Sequence, residues 1–142
     1  MAFSLPDFLP YLLNQAAEAA SREFQSRYRS RYGMLRTEWR VLFHLGCYGE
    51  LSAKQICERA SIHKTKVSRA VAALQAKRYV SRTTDPDDRR REVLSLTRAG
   101  KRVFDALQVD AEECEAKLTA VLTPQEQAHL RSSLAKLMHF GS

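Results

Sequence analysis

Apolar positions along this chain keep two rhythms. Over most of its length they recur every three or four residues, which predicts helices, and in one stretch they shorten into strands. From Pro10 to about Tyr32, an apolar face is built by Leu12, Leu13, Ala16, Ala19, Ala20 and Phe24. Pro10 suits a first helical turn and Gly33 is the expected stop. A second helix is predicted from about Thr37, carrying Trp39, Val41, Leu42, Phe43 and Leu45 and ending in the turn Gly46-Cys47-Tyr48-Gly49. Ser52 and Gln55 have capping-box spacing and open a third helix with Ile56 and Ala60 facing inward.

After a turn from Ala60 to His63, Val67, Ala70, Val71 and Leu74 give a fourth helix one apolar face. Its other face carries Lys64, Thr65, Lys66, Ser68 and Arg69. Tyr79-Val80 and Val93 to Leu96 then read as two strands around the turn-forming run Asp85-Pro86-Asp87-Asp88, which leads straight into Arg89-Arg90-Arg91. Thr97 is placed to cap a long helix reaching about Leu122. Along it Phe104, Leu107, Ala111, Cys114, Leu118 and Val121 step in a 3.5-residue seam suited to lengthwise helix packing. Thr123-Pro124-Gln125-Glu126 opens a final helix with Leu130, Leu134, Leu137 and Met138 as its stripe.

The expected fold is therefore mainly α, six helices with a small β-hairpin. A polar-faced helix followed by a hairpin with a cationic tip is the pattern of a winged helix-turn-helix, which sets a helix in the major groove of double-stranded DNA with the hairpin beside it. Residues 37–96 would form that lobe. Residues 1–36 and 97–142 would form a helical region joining two copies, because two-fold pairing lets two recognition helices read two half-sites in register. The seam is equally compatible with a bundle inside one chain.

Charge sharpens the picture. Residues 59–91 hold ten Lys and Arg against three Asp, and so carry the whole +7 of the 142-residue chain. An excess confined to one structural unit is what a phosphate-facing surface requires. Hydrophobic residues make up 44% and charged residues 27%, an ordinary soluble balance. The apolar run Leu5 to Leu13 is too short to span a membrane and is broken by Pro6, Asp7 and Pro10. It also lacks the basic start of a secretory signal. Three scattered cysteines make no disulfide framework, which fits a reducing cytoplasm. There is no phosphate-cradling glycine loop and no nucleophile–base motif, so an enzyme is not expected, nor is any cofactor.

These residues resemble the MarR family of bacterial transcriptional regulators over nearly the whole chain. The likeness is carried by Gly33 with Glu38-Trp39-Arg40-Val41-Leu42, by Glu50-Leu51-Ser52, by Lys64 to Val71, and most specifically by Asp85-Pro86-Asp87-Asp88-Arg89-Arg90 with Leu96-Thr97 beyond it. The resemblance implies that Arg90 enters the minor groove beside Arg89, with Asp88 holding its guanidinium by a charge-assisted bond. It also implies that Thr65, Ser68 and Arg69 face the bases. Arg69 is the choice for a guanine contact, at about 1–3 kcal/mol of discrimination, with Lys64 and Lys66 on phosphate. Two positions depart from the family pattern. His63 stands where Asp or Asn usually caps the recognition helix, so the cap is expected from Ser61. Arg78 stands where glycine is common, and a left-handed residue there would cost about 1 kcal/mol.

Family members are often repressors released by small aromatic or acidic effectors. By resemblance, Tyr28, Trp39, Phe43 and His44 would line such a pocket. Some relatives sense oxidants, and Cys47, in a turn, is the better thiol candidate than Cys114. His44 and Cys47 begin a metal-ligand spacing that nothing completes, so no metal is expected. The rival readings are a thiol-based regulator of the same fold and a winged helix binding nucleic acid or protein without sequence preference.

Overall fold

The structure, a computed structural model, describes residues 2–142. A short 3-10 turn at Leu5–Asp7 leads into α1 (Leu9–Tyr32), which ends where Gly33 adopts the left-handed conformation with φ 62°. Next come α2 (Arg36–Tyr48), α3 (Ala53–Ala60) and α4 (Lys64–Ala76). Strands β1 (Val80–Thr84) and β2 (Glu92–Leu96) pair antiparallel, in register from Val80 with Leu96 to Thr84 with Glu92. Helices α5 (Arg98–Thr119) and α6 (Pro124–Met138) complete the chain. This is the expected six-helix winged arrangement. Leu51 adds a bridge to Leu94 and ties the entry of α3 to the hairpin.

One apolar core lies between residues 28 and 107. Val41, Leu42 and Leu45 of α2 meet Val67, Val71 and Leu74 of α4, Ile56 of α3, Leu94 of β2, and Val103, Phe104 and Leu107 of α5. Tyr28 is the one buried residue of α1, and α6 buries none. The seam predicted along α5 therefore divides. Phe104 and Leu107 pack into the core, whereas Leu118 and Val121 are exposed, as are Leu130, Leu134, Leu137 and Met138 of α6. Among the described residues no helix is long and apolar enough to cross a membrane.

The second helix does not stop at Gly46 but continues to Tyr48. Gly46 is there for packing. A Cβ at that position would overlap the Phe104 ring, so the glycine lets α5 lie against α2. The first strand starts one residue later than expected, at Val80, and extends to Thr84, while the Tyr79 carbonyl still accepts the N–H of Thr97 in the same register.

Two buried acids fix the helices against one another. Glu38 accepts from Lys77 Nζ at 3.0 Å and from the Leu35 N–H at 3.2 Å, so the start of α2 grips the end of α4. Asp110 of α5 accepts from Arg27 at 2.9 Å and Arg31 at 2.8 Å on α1. Arg27 also bonds Glu113 and Glu23, and its guanidinium is held in the charged form first by Glu113 and then by Asp110.

Gly100, in the first turn of α5, has no room for a side chain, since a Cβ would strike the main-chain carbonyl of Tyr79. Gly100→Ala is expected to lower unfolding stability by about 1–3 kcal/mol through overpacking. Urea titration checks this, and an unchanged midpoint would contradict the close approach.

Candidate nucleic-acid interface and effector cavity

The recognition face is set by how α4 begins. His63 is its N-cap, with Nδ1 accepting the Thr65 N–H at 3.2 Å. The cap expected from Ser61 is not made. Ser61 instead ends α3 in the left-handed region with φ 53°, so its side chain belongs to the preceding turn. Val67, Ala70, Val71 and Leu74 point inward, and this leaves Lys64, Thr65, Lys66, Ser68 and Arg69 exposed together on the outer face. At the far end Arg78 keeps the left-handed conformation, φ 64°, despite its side chain.

The hairpin tip is organised by its acids, in a way the sequence reading did not anticipate. Asp88 accepts the main-chain N–H of Arg90 at 3.0 Å and not its guanidinium. Asp85 likewise accepts the N–H of Asp87 at 2.9 Å. Short Asp side chains fold back on nearby amides more readily than they reach a long arginine fork. With the acids turned to the backbone, Arg89, Arg90 and Arg91 have no acidic partner among the described residues. Neither do Lys64, Lys66 and Arg69 of α4.

Three other cations of the basic segment are engaged within the chain. Lys77 is paired with Glu38. Arg82 donates to Gln75 of α4 at 3.1 Å and to Glu92 of β2 at 3.0 Å, which braces the wing against the recognition helix. Arg59 lies 4.6 Å above the Tyr48 ring. A count of basic residues in the sequence could not separate such struts from free cations.

Ser68 and Arg89, Arg90 and Arg91 border one groove of about 710 Å³ between α3, α4 and the wing, with Lys54 on its α3 side. An open groove with unpaired cations on two walls and a polar helix face between them concentrates positive potential where a phosphate backbone would run.

A second cavity, of about 300 Å³, lies between α1 and α2. Ala20, Ser21, Phe24, Tyr28, Arg36, Trp39 and Arg40 line it. Tyr28 and Trp39 are among the residues expected there. Phe43 and His44 are not on its wall. The Phe43 ring is wedged between Trp39 at 5.3 Å and Phe104 at 5.1 Å, behind the cavity. His44 is held by the Arg40 carbonyl at 2.6 Å and stacks toward Tyr48. Sequence reasoning missed Phe24, Arg36 and Arg40. Arg36 and Arg40 are spaced i,i+4 around Trp39, so that spacing was the available signal. Burial pushes the Tyr28 phenol pKa up, which keeps it a neutral donor.

Cys47 is exposed at the last turn of α2, and Cys57 and Cys114 are half-buried. Burial raises the Cys114 pKa, which disfavours the thiolate that oxidant sensing needs.

A model described as MarR family matches residues 32–91. The homoprotocatechuate degradative operon repressor of Escherichia coli is 24% identical over 136 residues, covering 96% of this chain and 91% of that protein. BpsR of Bordetella bronchiseptica, whose DNA binding is regulated by 6-hydroxynicotinic acid, superposes with a TM-score of 0.89 at 21% identity, covering 98% of this chain and 99% of that one. A mutant of E. coli MarR complexed with operator DNA gives 0.82 at 23% identity, covering 91% and 92%.

If His63 caps α4 as described, His63→Ala should cost about 0.5–2 kcal/mol of unfolding free energy, and His63→Asn should restore it. Urea denaturation of the two variants checks this, and equal midpoints for both would contradict the cap.

Proposed function

The chain belongs to the MarR family of winged-helix transcriptional regulators, and from that premise we propose that it is a dimeric repressor of a pseudo-palindromic operator, released by a small aromatic acid. The single observation that carries the DNA reading is the groove on which Ser68 and three wing arginines converge without acidic partners. In this reading Thr65, Ser68 and Arg69 meet base edges, with Arg69 gripping a guanine. Lys64 and Lys66 meet phosphate. Arg90 enters the minor groove with Arg89 beside it, and Asp88 shapes the tip that presents them.

Pairing of two copies accounts for the apolar surface left on the terminal helices. Leu12 and Leu13 of α1, Leu118 and Val121, and Leu130, Leu134 and Leu137 of α6 are all exposed. Leu13, Leu118, Val121, Leu130 and Leu134 among them line a groove of about 420 Å³ whose wall is almost wholly apolar. Isolated exposed leucines need no explanation, but a continuous patch on three helices does. We therefore assign residues 1–36 and 97–142 to the dimerisation region and 37–96 to the DNA-binding lobe. Such a regulator works in the cytoplasm, beside the chromosome.

For the effector, support comes from the chemistry of the α1–α2 cavity. Phe24, Tyr28 and Trp39 supply aromatic walls, while Arg36 and Arg40 supply a carboxylate partner. The names of two relatives, which carry homoprotocatechuate and 6-hydroxynicotinic acid, point to the same ligand class.

Gel-shift titration on the DNA upstream of the gene, with excess competitor DNA, tests the proposal. A retained complex is expected for the specific regulator, and complete loss to competitor would leave a nonspecific binder. Arg90→Ala should weaken operator binding at matched salt while the protein stays folded. Sedimentation should give a dimer at micromolar concentration, and a monomer there would remove the pairing.

A further inference from the structure

Arg40 faces two ways. Its side chain lines the aromatic cavity, and its guanidinium donates to the carbonyl of Ala60 at 2.8 Å. Ala60 is the last residue of α3, and the next residue, Ser61, carries a left-handed φ of 53°. Three residues after Ala60, His63 caps the recognition helix. A helix's last carbonyls lack intrahelical partners, and a cation there is favoured by the helix dipole. Arg40 thus steadies a turn that is costly in itself, since a non-glycine left-handed residue is disfavoured by roughly 1–2 kcal/mol.

The same helix α2 also grips the other end of the recognition helix, through Glu38 and Lys77. The turn before the recognition helix and the far end of that helix are therefore held by residues two positions apart on α2. One of these ties is an ion pair whose residues do not line the cavity. The other is a neutral-acceptor bond made by a residue of that wall.

We infer that Arg40 is the residue that transmits effector binding to the DNA-reading helix, by exchanging the Ala60 carbonyl for the effector's carboxylate. This rests on the reading of the α1–α2 cavity as an aromatic-acid site. A carboxylate offers the guanidinium a bidentate pair of bonds and an opposite charge, against one bond to an uncharged carbonyl, so it outcompetes that carbonyl. With Arg40 withdrawn, the Ala60–His63 turn is held by fewer bonds. The entry of α4 loosens while the Glu38–Lys77 tie stays. DNA release follows from lost order at one end of the reading helix, without movement of the wing. Arg40 is in this sense a positioning residue.

The test uses the full-length protein and the two acids named above, homoprotocatechuate and 6-hydroxynicotinic acid. Calorimetry reports whether either binds. Hydrogen exchange reports the amides of Ser61, Ile62, His63, Lys64 and Thr65. Binding of an acid is expected to speed exchange there by tenfold or more, with the Lys77 end of α4 unchanged. Arg40→Met is expected to reproduce that local pattern with no acid present, to weaken operator binding by tenfold or more, and to abolish any further response to acid. A uniform rise in exchange over all of α4 would mean general destabilisation and would overturn the assignment. An acid that binds without altering exchange at 61–65 overturns the relay and leaves the cavity reading standing. If neither acid binds, the aromatic-acid reading falls and the carboxylate exchange with it, which leaves Arg40→Met to decide the remaining claim, that Arg40 orders the entry of α4. Wild-type exchange and operator affinity in that variant would overturn it.

Discussion

A buried carboxylate at the start of α2 anchors the arrangement. Glu38 is almost fully enclosed and needs a partner, because an uncompensated charge in an apolar interior is far more costly than a paired one. Lys77 supplies the opposite charge and the Leu35 N–H takes the second oxygen. The consequence reaches past local stability. Since Lys77 follows directly on α4, the polar face of that helix is fixed in rotation relative to α2, and through α2 to α1 and α5. Ser68 of α4 can then share a groove border with the wing arginines only because the helix carrying it cannot roll.

A second constraint is the division of labour among charges. Most acids near the basic segment are spoken for by the backbone or by struts: Asp85 and Asp88 by main-chain amides, Glu92 by Arg82, Glu38 by Lys77. Apart from Arg78 after α4 and Lys54 on α3, the cations that remain unpaired there lie on the outer face of α4 and at the wing tip. On α1 and α5 the balance is reversed, with Arg27 and Arg31 drawn onto Asp110 and Lys117 onto Glu23. Cations of the terminal helices are thus drawn into pairs across helices, which leaves the apolar faces unobstructed.

Much of this was legible in the sequence, because it depends on local chemistry. Ser52 with Gln55, Thr97, and Thr123 with Glu126 cap helices as their spacing foretold. The inward stripe of α4 and the exposed stripe of α6 follow from periodicity. What was not legible depends on distant partners. Gly46 looked like a stop signal until Phe104, 58 positions away, was seen to need its missing side chain. Phe43 and Trp39 are both aromatic residues of one helix, yet only packing against α5 decides which of them faces the cavity. Asp88 beside Arg90 read as an ion pair, and the amide two residues on proved the nearer donor. Cavity arginines on α2 were hidden among many basic residues whose roles differ only in three dimensions.

The claim on which the rest turns is electrostatic: unpaired cations of α4 and the wing neutralise phosphates of a duplex. The most direct measurement is operator affinity as a function of salt. Each neutralised phosphate releases condensed counterions and contributes about −0.9 to the slope of log K against log salt. The account predicts a straight line with a slope of several units, shallower when Arg89 and Arg90 are both changed to alanine. A slope near zero, or one unaffected by that double change, would contradict it.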